Sequence, residues 1–260
     1  LVSGDAISAV TLLFNSANSV PATTLPSNVT FGRQPNGIGE FKYFYRPTPN
    51  SSNIGTGLTE LIAPPIFSLN SGFFTAPFNL TISHPNPNAI IIYTTDGSEP
   101  NINNLNGTNF QYKNVYPFEV NAIPGPFLSE SYRSFQYSNP INIYDKSILP
   151  DKLTTKNSRQ DPIYIPPIPV RKGTVLKAKS YVNGVGSATV SRSYFVWSGG
   201  NPYNMPIVSL QTQEDNLFDY NKGTYTSGID FDTWRKNNPD NNQSYRPEWN
   251  NYARTGSLSE

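Results

Sequence analysis

The sequence predicts an all-β fold. Short runs in which β-branched and aromatic residues alternate with polar ones recur along the chain, and Pro, Gly and Asn punctuate them. Helical periodicity is scarce, and 24 prolines would break most longer helices. The best helical stretch, Glu214 to Tyr220, is short.

The runs that predict strands are, in order, Ile66 to Leu69, Phe78 to Ser83, Ile90 to Thr94, Val175 to Val182 and Thr189 to Trp197. Alternation places Ile90, Ile92, Leu176, Ala178 and Tyr194 in one core. Punctuation divides the chain into three parts. The first, residues 1–57, ends in "YRPTPNSSNIGTG"; the second, 58–198, opens near "LIAPPIFSLNSGFF" and closes at "SYFVW"; the third, 199–260, follows "SGGNPYNMP". Within the second part, about 101–171 reads as an elaborated loop insertion rich in Pro and Tyr.

Composition excludes several function classes. With 19 basic and 18 acidic residues spread along the chain, no basic stripe exists to neutralise a phosphate backbone, so nucleic acid is not an expected partner. The absence of cysteine removes thiolate chemistry and Cys-type zinc sites, and the one histidine, His84, cannot build a multi-histidine metal centre. No apolar run is long enough for a transmembrane segment. No nucleophile-elbow, phosphate-loop or dinucleotide glycine motif occurs, so neither a cofactor nor a metal is expected.

The stretch "IIYTTDGSEP", residues 91–100, offers two carboxylates just after a buried run. General acid–base work needs two such groups at a fixed separation across a cleft, one of them raised by burial. Asp96-Gly97 instead fits a tight turn: glycine takes the positive φ, the aspartate accepts backbone N–H bonds, and Pro100 stops the ladder. Asp96 and Gly97 are therefore expected to be structural, and Glu99 shares their exposed turn.

Those residues also carry a resemblance. "PPIFSLNSGFFTAPFNLTISHPNPNAIIIYTTDGSEP" and, after the insertion, "PIPVRKGTVLKAKSYVNGVGSATVSRSYFV" resemble the chitobiase/β-hexosaminidase C-terminal domain family, over roughly residues 62–197. The resemblance implies an Ig-like β-sandwich, a non-catalytic accessory of larger secreted bacterial proteins. Upstream, Gly32-Arg33, Pro35-Asn36-Gly37, Phe41 to Tyr45 and Thr48-Pro49 through Asn53 resemble the end of a lamin-tail domain. Downstream, Pro206 to Leu210, Asn216 to Asp219 and Gly223 to Tyr225 resemble the opening of CotH-type domains, some of which are kinase-like. The order of the three is similar to secreted and surface proteins of Bacteroidota-type bacteria. It implies a sandwich flanked by partial β modules, secreted or held at the cell surface.

Two further groups of residues have two readings each. The acids Glu214, Asp215, Asp219, Asp230, Asp232 and Asp240 are either a solvated face or oxygen ligands for calcium, although no EF-type spacing is present. Tyr112, Tyr116, Tyr132, Tyr137, Tyr144 and Tyr164 in the insertion, with Trp197, Trp234 and Trp249 beyond it, either fill small cores or present stacking faces to a partner. As binding residues the six tyrosines would serve a glycan or a surface protein. The sequence thus predicts a non-enzymatic binding and spacer segment. The alternatives are the front portion of a CotH kinase-like enzyme and a carbohydrate-binding module.

Overall fold

The computed structural model describes residues 25, 29–116, 123–153, 156 and 166–239. The chain forms two compact units, Leu1–Ala63 and Pro64–Glu260.

In the first unit β1 (Thr30–Gln34) and β2 (Glu40–Phe44) form an antiparallel hairpin. Pairing Phe31 with Tyr43 and Arg33 with Phe41 puts these side chains on one face. Phe31 stacks on Phe41 at 5.2 Å, and the Arg33 guanidinium lies 4.4 Å from the centre of the Phe41 ring. Asn53 fastens the return of the chain: its Nδ2 donates to the Arg33 carbonyl at 2.9 Å and its backbone N–H donates to Asn36 Oδ1 at 2.8 Å. Gly32 makes room for that side chain, since a Cβ there would stand 2.7 Å from Asn53 Nδ2.

The second unit is a β-sandwich. Its strands are β3 (Ile66–Phe67), β4 (Gly72–Phe74), β5 (Phe78–Leu80), β6 (Ile82–Ser83), β7 (Ile90–Thr94), β8 (Thr108–Tyr112), β9 (Leu128–Tyr132), β10 (Phe135–Gln136), β11 (Ile141–Ile143), β12 (Thr174–Val182), β13 (Val185–Gly186) and β14 (Val190–Val196). The main sheet runs β10-β7-β12-β14-β4, with β13 paired to β12. All its pairings are antiparallel except that of β14 with β4. The pairs β5-β11 and β3-β6 supply the facing layer. Between the layers lie Phe67, Leu80, Ile82, Ile91, Ile143, Leu176, Ala178, Tyr194 and Val196. Strand β12 explains the arrangement: Thr174, Leu176, Ala178 and Ser180 are buried, while Val175, Lys177 and Lys179 alternate onto the outer face. The Tyr194 hydroxyl donates to the Leu69 carbonyl at 2.8 Å, so its polar tip is satisfied inside.

Three expectations change. Ile90 is 40% exposed, and it is Ile91 that joins the core. Register is the reason: Tyr93 lies opposite Ala178 and Ile91 opposite Ser180, and paired residues share a face. Ile92, opposite Lys179, is fully buried on the other face of the sheet. The second change concerns 101–171, which is more than a loop. Strand β10 extends the main sheet, and β11 pairs with β5 and places Ile143 in the core. The third is a helix that sequence reading misses. After α1 (Glu214–Phe218), where the helical signal pointed, comes α2 (Ile229–Asn237).

Among the described residues no helix is long and apolar enough to cross a membrane.

Candidate functional site

The turn after β7 is held from three sides. Asp96 Oδ1 accepts from the Ser98 N–H at 2.9 Å and from the Ser98 hydroxyl, and Oδ2 accepts from the Arg133 N–H at 3.3 Å. Thr94, fully buried, donates its hydroxyl to the Ser98 carbonyl at 2.6 Å. Gly97 has φ +81°, and a Cβ there would stand 2.5 Å from the Thr212 carbonyl oxygen. Glycine is needed twice, for the left-handed backbone and for the close approach of the downstream chain. Every acceptor of Asp96 faces a donor of the turn or of Arg133, which leaves its carboxylate to organise backbone. Glu99 is exposed and takes the Thr189 hydroxyl.

The insertion meets the chain beyond residue 210. Strands β8 and β9 form a hairpin whose Phe110 and Tyr112 are buried against Phe218 of α1, with Tyr132 and Leu217 at the margin. Lys156, 5% exposed, sits inside this cluster. Its ammonium lies 5.9, 5.4 and 5.3 Å from the Phe110, Tyr112 and Phe218 ring centres, and it pairs with Glu214 at 2.7 Å and Glu130 at 3.5 Å. Burial raises the Tyr112 phenol above its ordinary value; Lys156 opposes that rise. Beside it, fully buried Tyr116 meets the Phe231 ring of α2 edge-on at 5.2 Å, and burial pushes its phenol up. Asp232 of α2 takes Lys113 at 3.0 Å and the Tyr220 hydroxyl at 2.8 Å.

The six tyrosines do not converge on one surface. Tyr112 and Tyr132 share the cluster just described, Tyr116 sits against α2, and Tyr137 packs on the sandwich core. Tyr144 is half-buried, and Tyr164 lies outside the described residues. His84 accepts from the Asn86 N–H at 3.0 Å within its turn. The acids after residue 213 are anchored too: Asp215 pairs with Lys222 at 2.7 Å, and Asp219 Oδ1 accepts the Asn221 and Lys222 N–H groups at 2.9 Å. Asp240 lies outside the described residues.

A different aromatic group faces outward. On β14 Tyr194 and Val196 point into the core, so Phe195 and Trp197 share the outer face with Phe73, which lies opposite Phe195 on β4. Phe73 and Phe195 stack at 5.1 Å, and Trp197 lies 5.7 and 5.4 Å from them. A Cβ on Gly173 would meet the Phe195 ring at 2.6 Å; the ring therefore lies directly on the backbone just ahead of β12. Trp197 is 3% exposed, with its indole N–H on the Lys172 carbonyl at 3.2 Å. Gly200, at φ +71°, donates back to the Trp197 carbonyl at 2.7 Å. Asn201 Oδ1 then accepts the Tyr203 N–H at 3.0 Å, and Tyr203 meets Trp197 edge-on at 6.1 Å. The Arg171 guanidinium stands 5.4 Å from the Trp197 ring centre. The signal that would have found this group is the i, i+2 spacing of Phe195 and Trp197 around the core residue Val196.

Residues 69–123 match the family model of the chitobiase/beta-hexosaminidase C-terminal domain. The matched stretch runs from just before β4 through the Asp96 turn and past β8. Neither a curated protein nor a solved structure matches the chain. The chain is thus similar to that domain over a minority of its length, in the part that lays down the first strands of the sandwich.

Proposed function

We propose that the chain is a non-catalytic binding and spacer segment of a larger bacterial protein that is secreted or displayed at the cell surface, with a glycan or a surface protein as partner. The observation that carries this reading is how the carboxylates are used. Asp96 organises a turn, Glu130 and Glu214 hold Lys156, Asp215 holds Lys222, and Asp232 holds Lys113. A carboxylate neutralised in this way is a structural anion and a poor general base. The match to an accessory-type sandwich domain supports the same reading.

The flanks refine it. The interlock of Gly32, Arg33, Asn36 and Asn53 supports a lamin-tail-like end for the first part. The α1 turn from Asn216 to Asp219 supports a CotH-type opening for the third. The experiment pairs two turnover assays with two binding assays on the purified chain. Magnesium-dependent ATP hydrolysis and chitooligosaccharide cleavage are expected to be absent, while a glycan array or intact bacterial cells retain the protein. Turnover that survives repurification and vanishes in Asp230→Asn/Asp232→Asn would replace this reading with the front portion of a CotH-type enzyme.

A further inference from the structure

We propose that the outer face of the main sheet, at its β4–β14 edge, binds an acidic polysaccharide, with pyranose rings laid on Phe73, Phe195 and Tyr203 and a sugar carboxylate paired with Arg171. The proposal rests on the reading of the chain as a binding segment and gives that segment a site and a ligand class.

Exposure is the first argument. Phe73 is 42% and Tyr203 47% exposed and Phe195 is half-buried, and all three rings gather around Trp197, at 5.7, 6.1 and 5.4 Å. Contiguous aromatic surface left in water is unfavourable unless something covers it. Preorganisation is the second. Phe195 lies on the Gly173 backbone, Trp197 is locked beneath by its indole N–H, and the Gly200–Asn201 turn fixes Tyr203. Rings already held in place lose little rotamer freedom when a ligand arrives.

Chemistry chooses the ligand. The C–H face of a pyranose is apolar and slightly electropositive, which complements the negative face of an aromatic ring. Charge then selects an acidic sugar over a neutral one. Lys172 is neutralised by Asp151, whereas the exposed Arg171 guanidinium makes no direct ion pair among the described residues and acts on the nearby Asp145 carboxylate only through space.

The test is affinity electrophoresis and calorimetry of the full 260-residue chain against polygalacturonate and alginate, with hydroxyethylcellulose as the neutral polymer. Wild type is expected to bind the acidic polymers, less tightly as salt rises. Phe73→Ala/Tyr203→Ala should weaken that binding about tenfold. Arg171→Gln should weaken it as well and flatten its salt dependence, and melting temperatures should stay within a few degrees of wild type in both variants. Equal binding of the neutral polymer, unaffected by Arg171→Gln, would overturn the acidic assignment. Acidic-polymer binding that ignores the ring substitutions would overturn the site while leaving the binding role intact. Failure of wild type to bind any of these polymers would sink the proposal, and the binding role would then be judged by the retention on cells described above.

Discussion

The second unit contains two clusters built on opposite principles. Between the sandwich layers the packing is mostly apolar, and the hydroxyl of Tyr194, the largest polar-tipped side chain there, is capped by a carbonyl. Between the insertion and the segment after residue 213, the rings of Phe110, Tyr112 and Phe218 close around a lysine that two glutamates neutralise. The first cluster draws on burial and dispersion, which are non-directional and tolerate salt. The second depends on a cation reaching three rings and two carboxylates from separate stretches of chain. A contact of that kind specifies one docking arrangement and is lost when any one participant goes. The difference teaches that the tyrosine-rich insertion works inward, gripping the downstream chain, while the outward-facing aromatics belong to the sheet.

The comparison can be broken most forcefully at Leu176, which is fully buried. Leu176→Ala should cost about 2–5 kcal/mol and lower the melting temperature of the whole second unit. A melting temperature equal to wild type would show that the sandwich core is not where its stability resides. Next comes Gly97→Ala, which must hold a side chain at φ +81° and push it against the Thr212 carbonyl. At least about 2 kcal/mol should be lost. Hydrogen exchange should rise first around 209–213, because that segment is displaced directly.

Lys156→Met sharpens the contrast more gently. The stem volume stays while the charge goes, so Glu130 and Glu214 lose their partner but keep part of their water; about 1–3 kcal/mol is expected. Local exchange in α1, α2 and β8 should quicken, with the sandwich strands unaffected. Uniform acceleration across both clusters would mean that they unfold as one. The last difference is silent at neutral pH. Burial pushes the Tyr194 phenol from 10.0 to about 12. The folded state therefore holds this proton more tightly than the unfolded chain does. Its stabilising contribution is complete below pH 10 and is lost as pH rises through 12. Urea midpoints measured across that range should fall steeply in the wild type and less steeply in Tyr194→Phe.

Much of the sandwich was legible because a period of two is visible whenever polar residues mark the outer face. "TVLKAKSYV" shows it, and Leu176, Ala178 and Tyr194 lie in the core where the sequence puts them. "AIIIYT" conceals it. Three isoleucines in a row carry no mark of parity, so only the pairing with β12 reveals that Ile91 faces inward and Ile90 does not. Strands β8 to β11 are two to five residues long and set among prolines and asparagines, too short for a pattern to stand out. The cage around Lys156 had no local signature at all. Its participants come from positions 110 to 218, and no spacing rule links residues so far apart. The outer aromatic group does carry a local signal, because Phe195 and Trp197 flank the core residue Val196.

The parallel pairing of β4 with β14 also sets a schedule. Ser71 and Ser193, joined by a 3.0 Å bond at that edge, are 122 residues apart, and Leu69 and Tyr194 are 125 apart. Closing so long a loop is entropically unfavourable and must precede any reward from the contact. On a ribosome adding roughly 5–20 residues per second, β4 waits some seconds to tens of seconds before its partner is made. During that interval Phe73 and Phe74 are held on an unpaired strand, available to any other nascent chain. Among the described pairings, the edge that completes the sheet is thus also the one that waits longest for its partner during synthesis.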